Sequence, residues 1–327
     1  MKILVPYGQK IVDRIQQIIG DKAEVVPSER TADKMLQQGK DATVVAAGRV
    51  PGEYIRKAES LKMIQAFGAG VDKIDMDAIR ERCDVLVCNC HLNSQEVAEY
   101  AIMLLLALTK RIIRSDRLLR RGDWKMAWGS DIPNIEIRKK TCLLVGLGHI
   151  GSHIAQRLRA FNVHLVAATR TGTGSTSSVD ELVSIAEAED YIRQADFIIL
   201  SLPLTSESRG MVDQTFLSYM KKSAFIINVS RAPIINQDAL FEKLERGDIA
   251  GAALDVWWDY PAEWGSAGQL PSERHPFHKL DNVVLSPHRA AYSENVMEEQ
   301  IRFVARNILR FIQGEEPLNQ VDIENEY

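Results

Sequence analysis

Thr141-Cys142-Leu143-Leu144-Val145-Gly146-Leu147-Gly148-His149-Ile150-Gly151 reads as an apolar strand running straight into a GxGxxG turn. A helical pattern continues to Phe161, and a second apolar run, Val163-His164-Leu165-Val166-Ala167-Ala168, comes next. Strand, glycine turn, helix and strand in this order form the unit that binds a dinucleotide. Gly146 permits the tight turn, Gly148 lets the backbone approach a pyrophosphate, and Gly151 lets helix and strand pack closely. The amides that open the helix, at His149 and Ile150, face the anion.

The end of the second strand reports on the ribose. Where selectivity for NAD calls for an Asp or Glu that accepts from the 2′-hydroxyl, this chain reads Thr169-Arg170-Thr171. A carboxylate would repel a 2′-phosphate, whereas a guanidinium binds it bidentately and hydroxyls donate to it. The expected cofactor is therefore NADP, with NADPH preferred over NADH. The polar stretch from Gly172 to Ser178 fits a surface loop beside the adenosine end.

Size and composition set wide bounds on the rest. The 327 residues suffice for two domains, and 46% hydrophobic with 26% charged residues is ordinary for a globular chain. Forty basic against 44 acidic residues give a net charge of -4, which favours neither a nucleic-acid nor a membrane surface. The longest apolar stretch, Ala101 to Leu108, falls far short of the roughly 20 residues of a membrane span. Met1-Lys2-Ile3-Leu4-Val5 begins a strand rather than a signal peptide, so a cytoplasmic location is expected. Cys83, Cys88 and Cys90 crowd together without a CxxC pair, and Cys142 sits inside a strand, so reduced buried thiols are expected and no metal site.

Alternating runs before residue 93 predict a small open α/β domain of flavodoxin-like type. The strands are expected near Lys2–Val5, Ala23–Val26, Thr43–Ala46 and Leu61–Ala66, with a helix over Ile11–Ile19. One long apolar helix, Ser94 to Arg114, leads into the nucleotide unit. Further apolar runs at 197–200, 224–228, 251–254 and 283–285 extend that unit into a doubly wound parallel sheet of the Rossmann type. An amphipathic helix over 295–313 closes the chain and is expected to pack on the first domain. The expected boundaries are 1–93 with 290–327 for the substrate domain and 94–289 for the NADP-binding domain.

Four further segments carry a resemblance that spans essentially the whole chain: Gly68-Ala69-Gly70-Val71-Asp72-Lys73-Ile74-Asp75, Asn93-Ser94-Gln95-Glu96-Val97-Ala98-Glu99, Ile227-Asn228-Val229-Ser230-Arg231-Ala232 and Asp281-Asn282-Val283-Val284-Leu285-Ser286-Pro287-His288. Together with the glycine turn they resemble the D-isomer-specific 2-hydroxyacid dehydrogenase family. Its members include glyoxylate/hydroxypyruvate reductases, D-lactate and phosphoglycerate dehydrogenases and, more distantly, formate dehydrogenases. The resemblance implies a homodimer and an active site in a cleft between the domains.

Reducing a 2-oxoacid needs a cation for the carboxylate and ketone, a hydride donor, and an acid for the forming alkoxide. The family's catalytic arginine falls on Arg231 and its proton donor on His288. Ala69 and Gly70 are suited to offer backbone amides to the carboxylate, and Asn93 matches an asparagine that helps hold substrate. The resemblance also assigns Asp255 and the Val229 carbonyl to the nicotinamide carboxamide, and Leu202 and Pro203 join the expected cofactor contacts. One departure stands out. Oxoacid-reducing members place a glutamate beside the histidine, and direct alignment puts Tyr260 there, within Asp255-Val256-Trp257-Trp258-Asp259-Tyr260. Either the Tyr260 hydroxyl orients the imidazole, or Asp259 supplies a carboxylate through a bulged loop; Tyr260 is preferred because it needs no bulge. Trp257, Trp258 and Trp264 are expected near the substrate or as loop packing. The expected activity is NADPH-dependent reduction of a glyoxylate-like or hydroxypyruvate-like 2-oxoacid. The rivals are a formate-type dehydrogenase and a nucleotide-sensing protein without turnover.

Overall fold

Short apolar runs near the N-terminus alternate with amphipathic stretches, and the structure follows that pattern: β1 (Lys2–Val5), α1 (Gln9–Ile19), β2 (Glu24–Pro27), α2 (Ala32–Gly39), β3 (Val44–Ala46), α3 (Gly52–Lys57), β4 (Met63–Gln65), α4 (Met76–Glu81) and β5 (Leu86–Cys88). This computed structural model describes residues 1–262 and 265–327. The five strands form a parallel sheet in the order β2-β1-β3-β4-β5, the flavodoxin-like arrangement. Every position of β3 and β4 is buried, as strands covered on both faces require.

The second stretch continues with α5 (Ser94–Thr109), α6 (Ile112–Leu119), β6 (Thr141–Val145), α7 (His149–Arg159), β7 (His164–Thr169), β8 (Glu181–Ser184), α8 (Glu189–Gln194) and β9 (Phe197–Leu200). It ends with α9 (Gln214–Tyr219), β10 (Phe225–Asn228), α10 (Gln237–Glu245), β11 (Gly251–Leu254) and β12 (Val283–Leu285). Its seven strands pair in parallel in the order β12-β11-β10-β9-β6-β7-β8. The order reverses between β6 and β9, the point at which a doubly wound sheet opens a crevice at the carboxyl ends of its strands. The chain divides into two compact units, Met1–Asn93 with Tyr292–Tyr327, and Ser94–Ala291. The closing helix α11 (Val296–Ile312) belongs to the first unit, where Ile301, Val304 and Ile308 share a buried cluster with Val12, Ile15 and Ile19 of α1.

Three sequence expectations are corrected. The single helix expected over 94–114 is two: Thr109 turns its hydroxyl back onto the Leu105 carbonyl at 2.9 Å, and Arg111 takes a left-handed φ of 52° that breaks the helix before α6. The strand β8 was not foreseen, because its half-exposed residues follow a polar loop and carry little alternation. Cys83, expected to be buried, is exposed because it lies in the turn before β5; Cys88, Cys90 and Cys142 are buried. Burial pushes the Cys88 thiol up to about 12, so it stays protonated and unreactive. Among the described residues, no helix is long and apolar enough to cross a membrane.

Candidate active site

The β6–α7 turn shows which glycine does which job. Gly146 has φ +98°, and a Cβ on it would sit 2.7 Å from the Ser201 carbonyl oxygen. A Cβ on Gly151 would lie 2.2 Å from the Gly146 carbonyl oxygen, so helix and turn can meet only there without a side chain. Ser201, just beyond β9, closes the arrangement: its hydroxyl donates to the Gly146 carbonyl at 2.8 Å and its N–H to the Val145 carbonyl at 2.9 Å. Gly148 differs, because a Cβ there would meet nothing within 4 Å. That open space over the N-terminus of α7 is room for a ligand.

The electrostatics agree. Gly148 caps α7 with no side chain bonded back to the helix, and the first turn carries no acid. First-turn amides have no acceptor inside a helix and sit at its positive end, so the backbone at His149 and Ile150 presents donors to an anion. At the end of β7, Thr169 is half-buried while Arg170 and Thr171 are exposed. The Thr169 hydroxyl accepts from the Gly172 N–H at 3.0 Å, and the Thr171 and Thr173 hydroxyls are 2.7 Å apart. Leu202 donates its N–H to the Ser230 hydroxyl at 2.9 Å, and the Pro203 carbonyl accepts from Ser208 at 2.7 Å. These residues fit a dinucleotide: a glycine cradle, a helix N-terminus, and no carboxylate at 169–171.

The remaining candidates of this unit follow β10, β11 and β12. At the end of β10, buried Asn228 folds the chain back, accepting from the Ser230 N–H at 2.9 Å and donating to the Arg231 carbonyl at 3.0 Å. Arg231 is half-buried, with one guanidinium nitrogen on the Ser230 carbonyl at 2.8 Å; Val229 beside it is buried. His288 follows β12 with a left-handed φ of 54°. Its Nδ1 lies 2.8 Å from the Tyr260 hydroxyl, which also accepts from the Trp257 N–H at 3.1 Å. An amide can only donate, so the phenol oxygen is an acceptor toward Trp257 and keeps its one proton available for Nδ1.

Two carboxylates singled out in the sequence have partners within this unit. Asp259 does not meet the imidazole; its Oδ2 accepts from the Glu273 N–H at 2.9 Å, which ties down the loop after β11. Asp255, expected on the nicotinamide, is 1% exposed and anchors the histidine loop. Its Oδ1 accepts from the Ser286 hydroxyl and from the Arg289 N–H at 3.0 Å, and its Oδ2 accepts from the Ala290 N–H at 2.9 Å. The Trp257 indole adds a bond to the Ser286 carbonyl at 2.7 Å, and Tyr100 pairs with the Ser286 hydroxyl at 2.8 Å. Asn228, Trp257 and Tyr100 were missed as support for the site because nothing in a local pattern says where their polar atoms point. Trp258 stacks on buried Phe277 with ring centroids 5.5 Å apart, a packing role; Trp264 lies outside the described residues.

Ala69, Gly70 and Asn93 lie in the first unit. The Gly68-Ala69-Gly70 turn is half-buried and follows β4, while Asn93 is buried directly before α5. The turn is held from the segment after β5: the Gly68 carbonyl accepts from the Cys90 N–H at 3.1 Å and the Ala69 carbonyl from Asn89 Nδ2 at 3.1 Å.

A family model described as D-isomer specific 2-hydroxyacid dehydrogenase, NAD binding domain, matches residues 102–290. The chain is 32% identical over 318 residues to a glyoxylate reductase of Thermofilum pendens, covering 97% of this chain and 91% of that one. It is 31% identical over 313 residues to a D-3-phosphoglycerate dehydrogenase of Methanocaldococcus jannaschii, covering 94% of this chain and 57% of the relative. Among solved structures it is similar to the NADPH-dependent glyoxylate/hydroxypyruvate reductase of Sinorhizobium meliloti in complex with NADP and malonate. That likeness has a TM-score of 0.81 and 29% identity, and it covers 99% of this chain and 97% of the other.

The contrast between the glycines gives a direct test. Gly151→Ala places a methyl group against backbone and is expected to lower the melting temperature. Gly148→Ala is expected to melt like wild type yet bind NADPH at least about tenfold more weakly, since its methyl fills ligand space. A Gly148→Ala protein with undiminished NADPH affinity would remove the cradle from the site.

Proposed function

The chain belongs to the D-isomer specific 2-hydroxyacid dehydrogenase family, and from that premise we propose that it reduces a small 2-oxoacid, glyoxylate or hydroxypyruvate in kind, with NADPH as the preferred donor. Members are nicotinamide-dependent oxidoreductases, and the relatives named as glyoxylate reductases favour reduction of an oxoacid over formate oxidation. The first unit is assigned the substrate and the second the cofactor. NADPH preference rests on Thr169-Arg170-Thr171, where a fork-shaped cation and two hydroxyls stand in place of the ribose-binding acid.

The observation that carries the catalytic assignment is the 2.8 Å contact between Tyr260 and His288 Nδ1. The acid that protonates the alkoxide is the imidazolium, which carries a proton on each nitrogen, and a partner on Nδ1 orients the ring so that Nε2–H is the one left for the alkoxide. In this chain a phenol supplies that partner. Arg231 is assigned the substrate carboxylate and ketone oxygen, for which its planar donor pair is suited. The Ala69 and Gly70 amides and Asn93 are assigned the carboxylate. Bound nicotinamide supplies the hydride. Asp255, with three donors on its carboxylate, acts through the loop that carries His288.

Homodimer formation is part of the same reading. Ile112, Ile113 and Leu119 of α6 and Trp124 and Trp128 beyond it are all exposed, Trp128 fully so at 101%. An apolar set of this size on one surface segment marks an association site. Light scattering on the eluting protein is expected to give twice the chain mass, and Trp128→Glu to give the single mass; a wild-type monomer rejects this.

The function itself is tested by following NADPH and NADH oxidation with glyoxylate, hydroxypyruvate and pyruvate, and NADP reduction with formate. Turnover of an oxoacid and none of formate is expected. Arg170→Ala is expected to weaken NADPH binding by roughly 1.5–3 kcal/mol with little change for NADH, as for loss of a charged hydrogen-bond partner. Equal loss for both cofactors would reject the 2′-phosphate assignment.

The proton donor has its own signature. A neutral phenol on Nδ1 gives the charged ring no Coulomb support, so the reductive kcat/KM should fall away at lower pH than in a relative whose histidine pairs with a carboxylate. Asp259→Asn is expected to leave that limb in place, because the carboxylate is engaged with the Glu273 amide. Tyr260→Phe is expected to lower kcat/KM by about tenfold, the worth of one well-placed hydrogen bond. A large shift in Asp259→Asn beside a silent Tyr260→Phe would reverse the assignment.

A further inference from the structure

We propose that Asn89 is a positioning residue for the substrate carboxylate: its side chain fixes the peptide plane whose N–H, that of Gly70, is offered to the 2-oxoacid. The proposal rests on the assignment of the Ala69 and Gly70 amides to that carboxylate. A trans peptide is planar, with the C=O of one residue and the N–H of the next pointing in opposite directions. Whatever holds the Gly68 carbonyl therefore aims the Ala69 N–H, and whatever holds the Ala69 carbonyl aims the Gly70 N–H. The first is held by the Cys90 backbone N–H at 3.1 Å, a bond any residue except proline supplies. The second is held by Asn89 Nδ2 at 3.1 Å, and that bond needs this side chain.

Asn89 is itself braced. Its N–H donates to the Asn319 carbonyl at 3.0 Å, and its carbonyl accepts from Gln65 Nε2 at 3.3 Å. Fully buried Gln65 in turn accepts from Asn307 of α11 at 2.6 Å. Asn307 grips the chain at Leu318, accepting its N–H at 2.7 Å and donating to its carbonyl at 3.0 Å. The C-terminal segment is thus locked onto the residue that steers the turn.

A second observation singles out the side chain. Asn89 is 4% exposed, and its Oδ1 is buried with no hydrogen-bond partner among the described residues. Leaving a buried acceptor unmade is costly, and an apolar residue of similar size would avoid the cost. What asparagine adds at this position is the donor on Ala69. Rotating the amide would recover nothing, since it would set Oδ1 against the Ala69 carbonyl oxygen.

The test compares a 2-oxoacid that the enzyme reduces with the methyl ester of the same acid, in wild type and Asn89→Ala, with NADPH affinity and melting temperature measured alongside. Wild type should prefer the acid. Asn89→Ala should raise KM for the acid roughly tenfold, as for loss of alignment in one charge-assisted bond, with kcat changed far less. Ester kinetics and NADPH affinity should hold, so that the preference for the acid shrinks by the same factor. Should the alanine variant not fold, Asn89→Ser, whose hydroxyl is too short to reach Ala69, is read in the same way. Equal losses on acid and ester, or none on either, overturn the proposal while leaving the amide assignment intact. A wild-type enzyme that does not distinguish acid from ester overturns the amide assignment and this proposal together.

Discussion

A Cβ on residue 151 would lie 2.2 Å from the Gly146 carbonyl oxygen, and this one close approach governs the nucleotide-binding half of the chain. It seats α7 against the end of β6, which directs the positive N-terminus of the helix over the carboxyl edge of the sheet. The same carbonyl takes the Ser201 hydroxyl from beyond β9, so the two strands flanking the reversal of sheet order are tied to one backbone atom. Gly148, two residues further on, is under no such pressure, and the space above it is what a ligand can use.

Because the sheet is parallel throughout, every loop after a strand emerges on one edge. The turn after β6, Arg170 after β7, Arg231 after β10, Tyr260 after β11 and His288 after β12 are all products of that geometry. A parallel sheet supplies the edge but not the aim. Aim comes from buried polar side chains: Asn228 folds the loop that bears Arg231, and Asp255 collects a hydroxyl and two amides around His288. A non-glycine residue at φ 54° is disfavoured on its own, and the bonds to Asp255 on either side over-determine it. Burying a carboxylate is tolerable here because its oxygens are met by donors.

Much of this was legible in the chain. The glycine spacing, the strand and helix periods and the absence of an acid at Thr169-Arg170-Thr171 are local facts, and they led to the doubly wound sheet and the location of the turn. The single helix expected over 94–114 failed because a left-handed residue at Arg111 leaves no mark on hydrophobic periodicity. Strand β8 was missed because it lies at the sheet edge and is only half covered, so it needs no apolar alternation. The hold of Asp255 on the histidine loop was not seen because its donors are 31 to 35 residues away and cannot be read from its neighbours.

The sequence by itself determined the fold class and the residue types available for chemistry, because side-chain period, glycine placement and charge act over a few residues. Only the tertiary structure decided how those residues are used. It put the Tyr260 phenol rather than the Asp259 carboxylate on His288, turned Asp255 into the anchor of the histidine loop, and set Asn89 on the Ala69 carbonyl. Hydrogen bonds are directional and saturable, so a polar atom's partner depends on where the folded chain brings donors and acceptors within about 3 Å of each other. That geometry exists only once distant segments have packed.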